Sequence, residues 1–252
     1  MTSDVPQSDD AVVDVVMPAR NEAPTIAANI DAAASCRYVR HVIVVDDGST
    51  DGTGDVAARC GAVVVRRPES TGSKAHAMSE GVEASDASHI LFVDADCTAL
   101  TAAHLDAICE PVLGGRADMS LGAFDYGFLN WLVLRCPPLT GERIVSREIW
   151  ESVPHDKLAG YTIEVRLNQV IGERRLRTSA RTMTGVFHRT KRAKFGLVEG
   201  FRRTWYMYRD LVSMLRPIGD IRWRTYWYYL RGLTIEAPVG APAGAGGAAG
   251  TG

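Results

Sequence analysis

Two aspartates, Asp94 and Asp96, follow the apolar run at 90–93, and their spacing suits metal-assisted phosphate chemistry. Residues i and i+2 of a strand face the same side, so two carboxylates at this spacing repel each other. A divalent cation relieves that repulsion and bridges to phosphate oxygens. An ordinary acidic turn after a strand explains the same pair equally well, so the motif by itself leaves both interpretations open.

Alternating strand and helix patterns must position these aspartates. Four apolar runs predict buried strands, at 12–17, 42–45, 62–65 and 90–93. Helical patterns between and after these runs indicate an α/β fold, with a mostly parallel sheet covered by helices on both faces. Because the carboxyl ends of parallel strands meet at one edge, we expect the polar clusters at 18–22, 46–51 and 94–96 to lie there together.

Four sequence blocks resemble glycosyltransferase family 2, and they occur in the family's order. They are V-V-M-P-A-R-N-E at 15–22, V-V-D-D-G-S-T-D-G-T at 44–53, G-S-K-A at 72–75 and D-A-D at 94–96. The resemblance implies the GT-A fold, in which a Rossmann-like nucleotide half joins an acceptor half. It also implies an enzyme that transfers a sugar from a nucleotide diphosphate-sugar, with a UDP-sugar favoured, and that uses Mg²⁺ or Mn²⁺.

The resemblance also assigns roles to individual residues. The nucleotide-sugar donor would be held by Pro18, Ala19, Asn21, Glu22, Asp47, Lys74, Asp94 and Ala95. Asp47 would accept a hydrogen bond from uracil, Asp96 would bind the metal, and Lys74 would lie near the diphosphate at a helix N-terminus, which favours anions. The structural alternatives are that Asn21 and Glu22 cap a helix, that Asp46 and Asp47 shape a turn, and that Lys74 is a plain surface lysine.

A narrower resemblance in the second half is to glucosyl-3-phosphoglycerate synthases. It rests on P-L-T-G-E at 138–142 with S-R-E at 146–148, on G-Y-T-I-E-V at 160–165 and on H-R at 188–189. It implies that His188 completes the metal site, that Glu164 is an active-site carboxylate and that the acceptor lies beside Thr140, Gly141 and Glu142. Thr190 stands where those enzymes have asparagine, so 3-phosphoglycerate is not carried over as the acceptor.

Structural roles without catalysis or metal binding remain open for Glu164 and His188. Glu164 could pair with Arg166 or Arg143 as an ordinary helix residue, and His188 could be a surface or packing histidine. With Asp96 and diphosphate oxygens as the other ligands, a neutral imidazole is also a suitable ligand for Mg²⁺ or Mn²⁺.

Residues 201–230 mix arginine with tryptophan and tyrosine, a composition with three interpretations. Packing on the domain or across a homodimer comes first, peripheral membrane contact second, and single-stranded nucleic acid a distant third. We therefore predict no nucleic-acid partner, and we expect the acceptor to be a small molecule or a lipid phosphate.

The predicted domain organisation has three parts. A glycosyltransferase domain spans 11–195, with a nucleotide-binding half at 11–97 and an acceptor half at 98–195. A basic, aromatic helical extension follows at 196–236, and a disordered Ala/Gly/Pro tail at 237–252.

Composition and net charge narrow the range of functions and locations that fit this protein. The net charge of −2 over 252 residues argues against a polyanion binder. Five cysteines without C-x-x-C spacing, and a polar start that does not resemble a secretory signal, predict a cytoplasmic protein, with peripheral contact at the inner face of the membrane as the alternative. Two other functions stay open: a sugar-phosphate nucleotidylyltransferase, which would have a glycine-rich loop in place of 18–21, and a non-catalytic nucleotide-sugar-binding protein.

Overall fold

The computed structural model describes residues 12–70, 72–127, 130–135, 142–154, 162–188 and 223–240. Its strands are β1 (Val13–Ala19), β2 (Val39–Asp47), β3 (Val63–Arg67), β4 (His89–Phe92), β5 (Cys97–Thr98), β6 (Met119–Ala123), β7 (Arg143–Ser146), β8 (Thr178–Thr182), β9 (Phe187–His188) and β10 (Leu233–Ile235). Its helices are α1 (Ala23–Ala34), α2 (Thr53–Arg59), α3 (Lys74–Glu83), α4 (Ala102–Leu113), α5 (Asn130–Val133), α6 (Arg147–Glu151), α7 (Thr162–Glu173) and, at the C-terminal end, α8 (Trp223–Arg231).

Eight strands form one sheet in the order β10-β8-β6-β7-β4-β1-β2-β3. Neighbouring strands run parallel except at β7, which is antiparallel to both β4 and β6. β5 and β9 form a separate antiparallel pair. The prediction of a mostly parallel α/β sheet is therefore confirmed.

Buried side chains cover both faces of the sheet, as parallel strands require. Val15 and Leu91 belong to one core, whereas Val16 and Phe92 belong to the other. On the second face, α3 lies so close to β1 that a Cβ on Gly81 would collide with the Val16 side chain. This close packing brings the first turn of α3 to the carboxyl edge of the sheet.

Strand β7 was not predicted from the sequence. It has only four residues, and it begins with the charged Arg143, so it shows no strand periodicity. Nevertheless it lies between β4 and β6, where its antiparallel direction brings Glu142 to the edge at which the parallel strands end. The strand thus connects the predicted acceptor segment to the predicted nucleotide edge.

The C-terminal part differs from its prediction in two respects. Residues 196–236 were expected to be helical, but Leu233–Ile235 form β10, which pairs with β8. Val239 was assigned to a disordered tail, yet its amide donates to Thr182 and its carbonyl accepts from the amide of Thr184. Backbone hydrogen bonds along an exposed sheet edge do not require apolar side chains, which explains the error. Residues 196–222 and 241–252 lie outside the described ranges.

Candidate active site

Helix α1 holds the segment that carries Asp94 and Asp96. The Thr25 hydroxyl donates to the Ala95 carbonyl at 2.8 Å. The Asn29 amide nitrogen donates to the carbonyls of Ala95, at 2.9 Å, and of Cys97, at 3.0 Å. Thr25 and Asn29 were not among the predicted site residues, although two polar residues at i and i+4 in an alanine-rich helix are a visible signal.

Removing this support is expected to disturb both folding and turnover. Asn29→Leu leaves the Cys97 carbonyl without its side-chain donor, and we expect a loss of about 2 kcal/mol in unfolding free energy. Turnover should also fall, because the loop that carries Asp94 and Asp96 loses an anchor. Thermal unfolding and donor hydrolysis would be compared with Asp31→Ala, an exposed change on the same helix. Wild-type stability and turnover in Asn29→Leu would show that this loop is held by other contacts.

The loops after β1 and β2 interlock at the same edge. Asn21 has a left-handed backbone with φ of 55°, a conformation that asparagine tolerates better than most residues. Its amide donates to the Ser49 hydroxyl at 3.0 Å, and its side-chain oxygen accepts from the Thr50 amide at 2.9 Å. Glu22 is the N-cap residue of α1 but makes no capping hydrogen bond with its side chain. The Glu22 side chain therefore does not have the capping role.

The two aspartates at the end of β2 have different surroundings. Asp46 accepts from the Ser49 amide at 3.0 Å, so it shapes the turn. Asp47 accepts from the Ser70 hydroxyl at 2.6 Å, and its other oxygen lies 3.5 Å from an Arg67 nitrogen. These contacts hold the Asp47 carboxylate at the carboxyl edge of the sheet, and its uracil-binding role stays a prediction.

Lys74 lies between two carboxylates from distant parts of the chain. Its ammonium nitrogen is 2.6 Å from Asp94 Oδ1 and 3.1 Å from Glu164 Oε1. Burial by itself would lower the pKa of Lys74, but the charges of Asp94, Glu164 and Glu142 outweigh it and raise the pKa. Lys74 is therefore a charged residue of the site and not a plain surface lysine. It is the first residue of α3, as predicted, and Ser73 is the N-cap.

Glu142 accepts hydrogen bonds from the segment that carries Asp94 and Asp96. It is fully buried, and its Oε1 accepts from the Asp94 amide at 3.3 Å and from the Cys97 thiol at 3.1 Å. Burial, and next the charge of Glu142, raise the pKa of the Cys97 thiol well above its usual value, so the thiol remains a donor. Thr140 and Gly141, the other predicted acceptor residues, lie outside the described ranges.

Arg143 is also fully buried, and it was not among the predicted site residues. Its guanidinium donates to the Asn168 side chain at 3.5 Å. Burial lowers the pKa of Arg143, and the charge of Glu164 partly offsets this effect. The signal in the sequence was a charged residue followed directly by an apolar pair at 144–145. Arg143 adds a second positive charge that interacts with the carboxylates of Glu164, Glu142 and Asp94.

Backbone pairing places His188 opposite the residue that follows Asp96. β5 starts at Cys97, directly after Asp96, and Cys97 is the register partner of His188 in β9. The Thr98 hydroxyl donates to the Phe187 carbonyl at 2.9 Å and fastens this pair. The His188 side chain lies outside the described part of the chain. Among the side chains that are described, no three His, Cys, Asp or Glu residues form a metal-binding cluster.

Comparison with known proteins agrees with this geometry. The sequence profile of the family described as glycosyl transferase family 2 matches residues 14–165. A 4,4'-diaponeurosporenoate glycosyltransferase of Staphylococcus aureus (strain USA300) is 39% identical over 90 residues, which are 34% of this chain and 24% of that protein. The matched segment thus spans about a quarter of the relative's length.

Solved structures are similar to a larger share of the chain. A glucosyl-3-phosphoglycerate synthase from Mycobacterium tuberculosis, in complex with Mn²⁺, UDP-glucose and phosphoglyceric acid, is 26% identical, with a TM-score of 0.61 over 73% of each chain. The same enzyme in complex with Mg²⁺ and UDP gives the same identity, TM-score and coverage. The predicted GT-A fold and both predicted resemblances are confirmed. The chain is a member of glycosyl transferase family 2.

Proposed function

We propose that this chain transfers a sugar from a nucleotide diphosphate-sugar, with a UDP-sugar as donor and a divalent cation as cofactor, to a small-molecule or lipid-phosphate acceptor. The observation that carries the proposal is the Lys74 ammonium, held between Asp94 and Glu164 at the carboxyl edge of the sheet. The M. tuberculosis structures with UDP-glucose and Mn²⁺ support the choice of donor and cofactor.

Lys74 would act on the leaving diphosphate. Breaking the anomeric C–O bond builds negative charge on the diphosphate, and a group that binds this growing charge stabilises the transition state more than the ground state. Two unit charges about 4 Å apart interact by about 4 kcal/mol at an effective dielectric constant near 20. The start of α3 adds backbone N–H groups that also favour anions.

Asp96 and His188 are the residues that would hold the cation. Carboxylate oxygen and imidazole nitrogen suit Mn²⁺, and the β5–β9 register pairs His188 with Cys97, the residue after Asp96. The bound ion would supply Lewis-acid neutralisation of the diphosphate charge. Asp94, which binds Lys74, would contact the donor beside this ion.

Glu164 would act on the acceptor side. One of its oxygens contacts Lys74, whereas Oε2 is buried and has no hydrogen-bond donor within the described ranges. A hydroxyl of the acceptor can satisfy that oxygen, so Glu164 would orient the acceptor or take its proton. Proton NMR of the product distinguishes these roles: an inverted anomer supports a carboxylate base, and a retained anomer supports orientation alone.

A donor screen tests the proposed function. The purified chain would be incubated with UDP-, GDP- and dTDP-sugars in the presence of Mn²⁺, and the released nucleotide and sugar would be measured. We expect cation-dependent release of UDP. In a separate mixture of a nucleoside triphosphate and a sugar phosphate, release of pyrophosphate would instead indicate a nucleotidylyltransferase. Binding of the donor without release would indicate a non-catalytic binding protein.

A further inference from the structure

The outer face of α8 has a composition that the proposed function does not use. Arg224, Trp227, Tyr228 and Arg231 lie at positions i, i+3, i+4 and i+7, so they share one side of the helix. Trp227 is 59% exposed, and both arginines are exposed. We call these four residues, together with Arg175, the basic-aromatic face.

The opposite side of α8 is already occupied by packing. Thr225 and Tyr229 are buried, and α8 approaches α7 so closely that a Cβ on Gly172 would lie 2.5 Å from the Thr225 carbonyl oxygen. The packing predicted for the aromatic segment is therefore present on this inner side. It fixes the orientation of the helix and leaves Trp227 directed outward.

Stacking of arginine on tyrosine organises the basic-aromatic face. The guanidinium carbon of Arg175 lies 4.5 Å from the centre of the Tyr228 ring, and that of Arg224 lies 6.0 Å from it. These guanidinium groups therefore lie over an aromatic ring, with N–H donors that remain able to bind phosphate oxygens. The face combines fixed positive charge with a large exposed indole.

A second tryptophan is also exposed, in a segment that contacts α8. The Tyr226 hydroxyl donates to the Arg135 carbonyl at 2.9 Å, which joins α8 to the segment that contains α5. In α5, Trp131 is 61% exposed. Within the described ranges, no helix is long and apolar enough to span a bilayer.

We propose that the basic-aromatic face docks on the surface of an anionic phospholipid membrane. Tryptophan and tyrosine prefer the interfacial region of a bilayer, and arginine binds lipid phosphates while its stem remains in contact with the acyl boundary. The charge of the face complements an anionic surface. A symmetric contact between two copies would place the arginines of one face against those of the other, which is unfavourable.

Vesicle sedimentation tests this proposal. The full chain would be mixed with vesicles of phosphatidylcholine alone, and with vesicles that also contain phosphatidylglycerol. We expect sedimentation with the anionic vesicles only, a blue shift of tryptophan fluorescence, and at least a tenfold weaker association when salt shortens the screening length. Equal association with neutral vesicles, or none with either, would overturn the proposal.

Two variants and a control locate the contact. Trp227→Ser and Arg224→Glu should each weaken vesicle binding at least fivefold without a change in melting temperature, because both residues are exposed. Arg37→Glu is the matched control, since Arg37 also lies over a tyrosine ring, 4.8 Å from the centre of Tyr38, but outside the face. Full binding by Trp227→Ser and Arg224→Glu, or an equal loss in Arg37→Glu, would refute the assignment.

Competing occupants give different results in parallel measurements. Self-association that Trp227→Ser abolishes, without vesicle binding, would show that a second copy covers the face. Binding of a single-stranded oligonucleotide without vesicle binding would indicate nucleic acid instead. Donor hydrolysis in solution is expected to be unchanged in Trp227→Ser and Arg224→Glu. A failure of membrane docking is therefore distinguishable from a failure of the proposed enzymatic function.

Discussion

Asp96→Ala is expected to lower cation-dependent release of UDP by about three orders of magnitude, the size of effect seen when an electrostatic contact to a developing charge is lost. Asp96 lies directly before β5 and beside the register partner of His188. In the proposed function its carboxylate would bind the cation. Because it is partly exposed at a strand end, the melting temperature should remain nearly unchanged. Hydrolysis would be measured over a series of Mn²⁺ concentrations.

A companion variant and a control make this result specific to the cation. His188→Ala should raise the Mn²⁺ concentration needed for half-maximal activity by about tenfold or more. Asp86→Ala changes an exposed aspartate that pairs with Arg40 and should leave the Mn²⁺ dependence as in the wild type. A large loss of stability in Asp96→Ala, with an unchanged Mn²⁺ requirement, would assign Asp96 a structural role.

Lys74→Met is expected to reduce both catalysis and stability. Without the ammonium group, the carboxylates of Asp94 and Glu164 would face each other with no cation between them. We expect a loss of about 3 kcal/mol in unfolding free energy, the lower end of the range for a broken buried pair. Donor hydrolysis should fall at least a hundredfold, because the growing diphosphate charge loses its partner. Denaturant unfolding and steady-state kinetics would measure the two effects.

The pH dependence of the Lys74 contribution has a definite sign. The pKa of Lys74 is raised in the folded chain, so its stabilisation is fully present below the unfolded value of about 10.4 and is lost as the pH rises through the higher folded value. The stability difference between wild type and Lys74→Met should therefore stay constant from neutral pH to about pH 10 and shrink only above it.

Two further variants separate charge from shape at this position. Lys74→Arg keeps the positive charge and should restore much of the stability. Adding Glu164→Gln to Lys74→Met removes one of the opposed carboxylates, so the double variant should be more stable than additive effects predict. Strict additivity would contradict a direct contribution from the contact between Lys74 and Glu164.

Local patterns predicted the strands and helices of the first half of the chain well. The apolar runs before Pro18, Asp46 and Asp94 are short and bounded by turn residues, so each predicted a strand and the polar cluster at its end. A parallel arrangement then placed the three clusters at one edge, and the hydrogen bonds from α1 and between the loops confirm it. Strands and helices can be predicted from apolar residues because the repeat of each element is only a few residues long.

Such patterns predicted the strands of the second half of the chain less well. β7 is too short to show a period, and its antiparallel direction cannot be read from four residues. β10 and the bridge at Val239 depend on a free sheet edge beside β8. Whether such a segment pairs as a strand is decided by its neighbours in space and not by its own composition.

The sequence by itself determined the α/β class, the order of the four blocks that resemble the family and the position of Lys74 at the start of a helix. Only the tertiary structure decided that Lys74 contacts Glu164, 90 positions away, that Glu142 supports the Asp94 amide, and that His188 pairs with the residue after Asp96. These contacts depend on how α7, β7 and β9 pack against the sheet. Such packing is a property of the whole chain, because each element is placed by its neighbours in space. The local repeat of apolar residues therefore does not predict it.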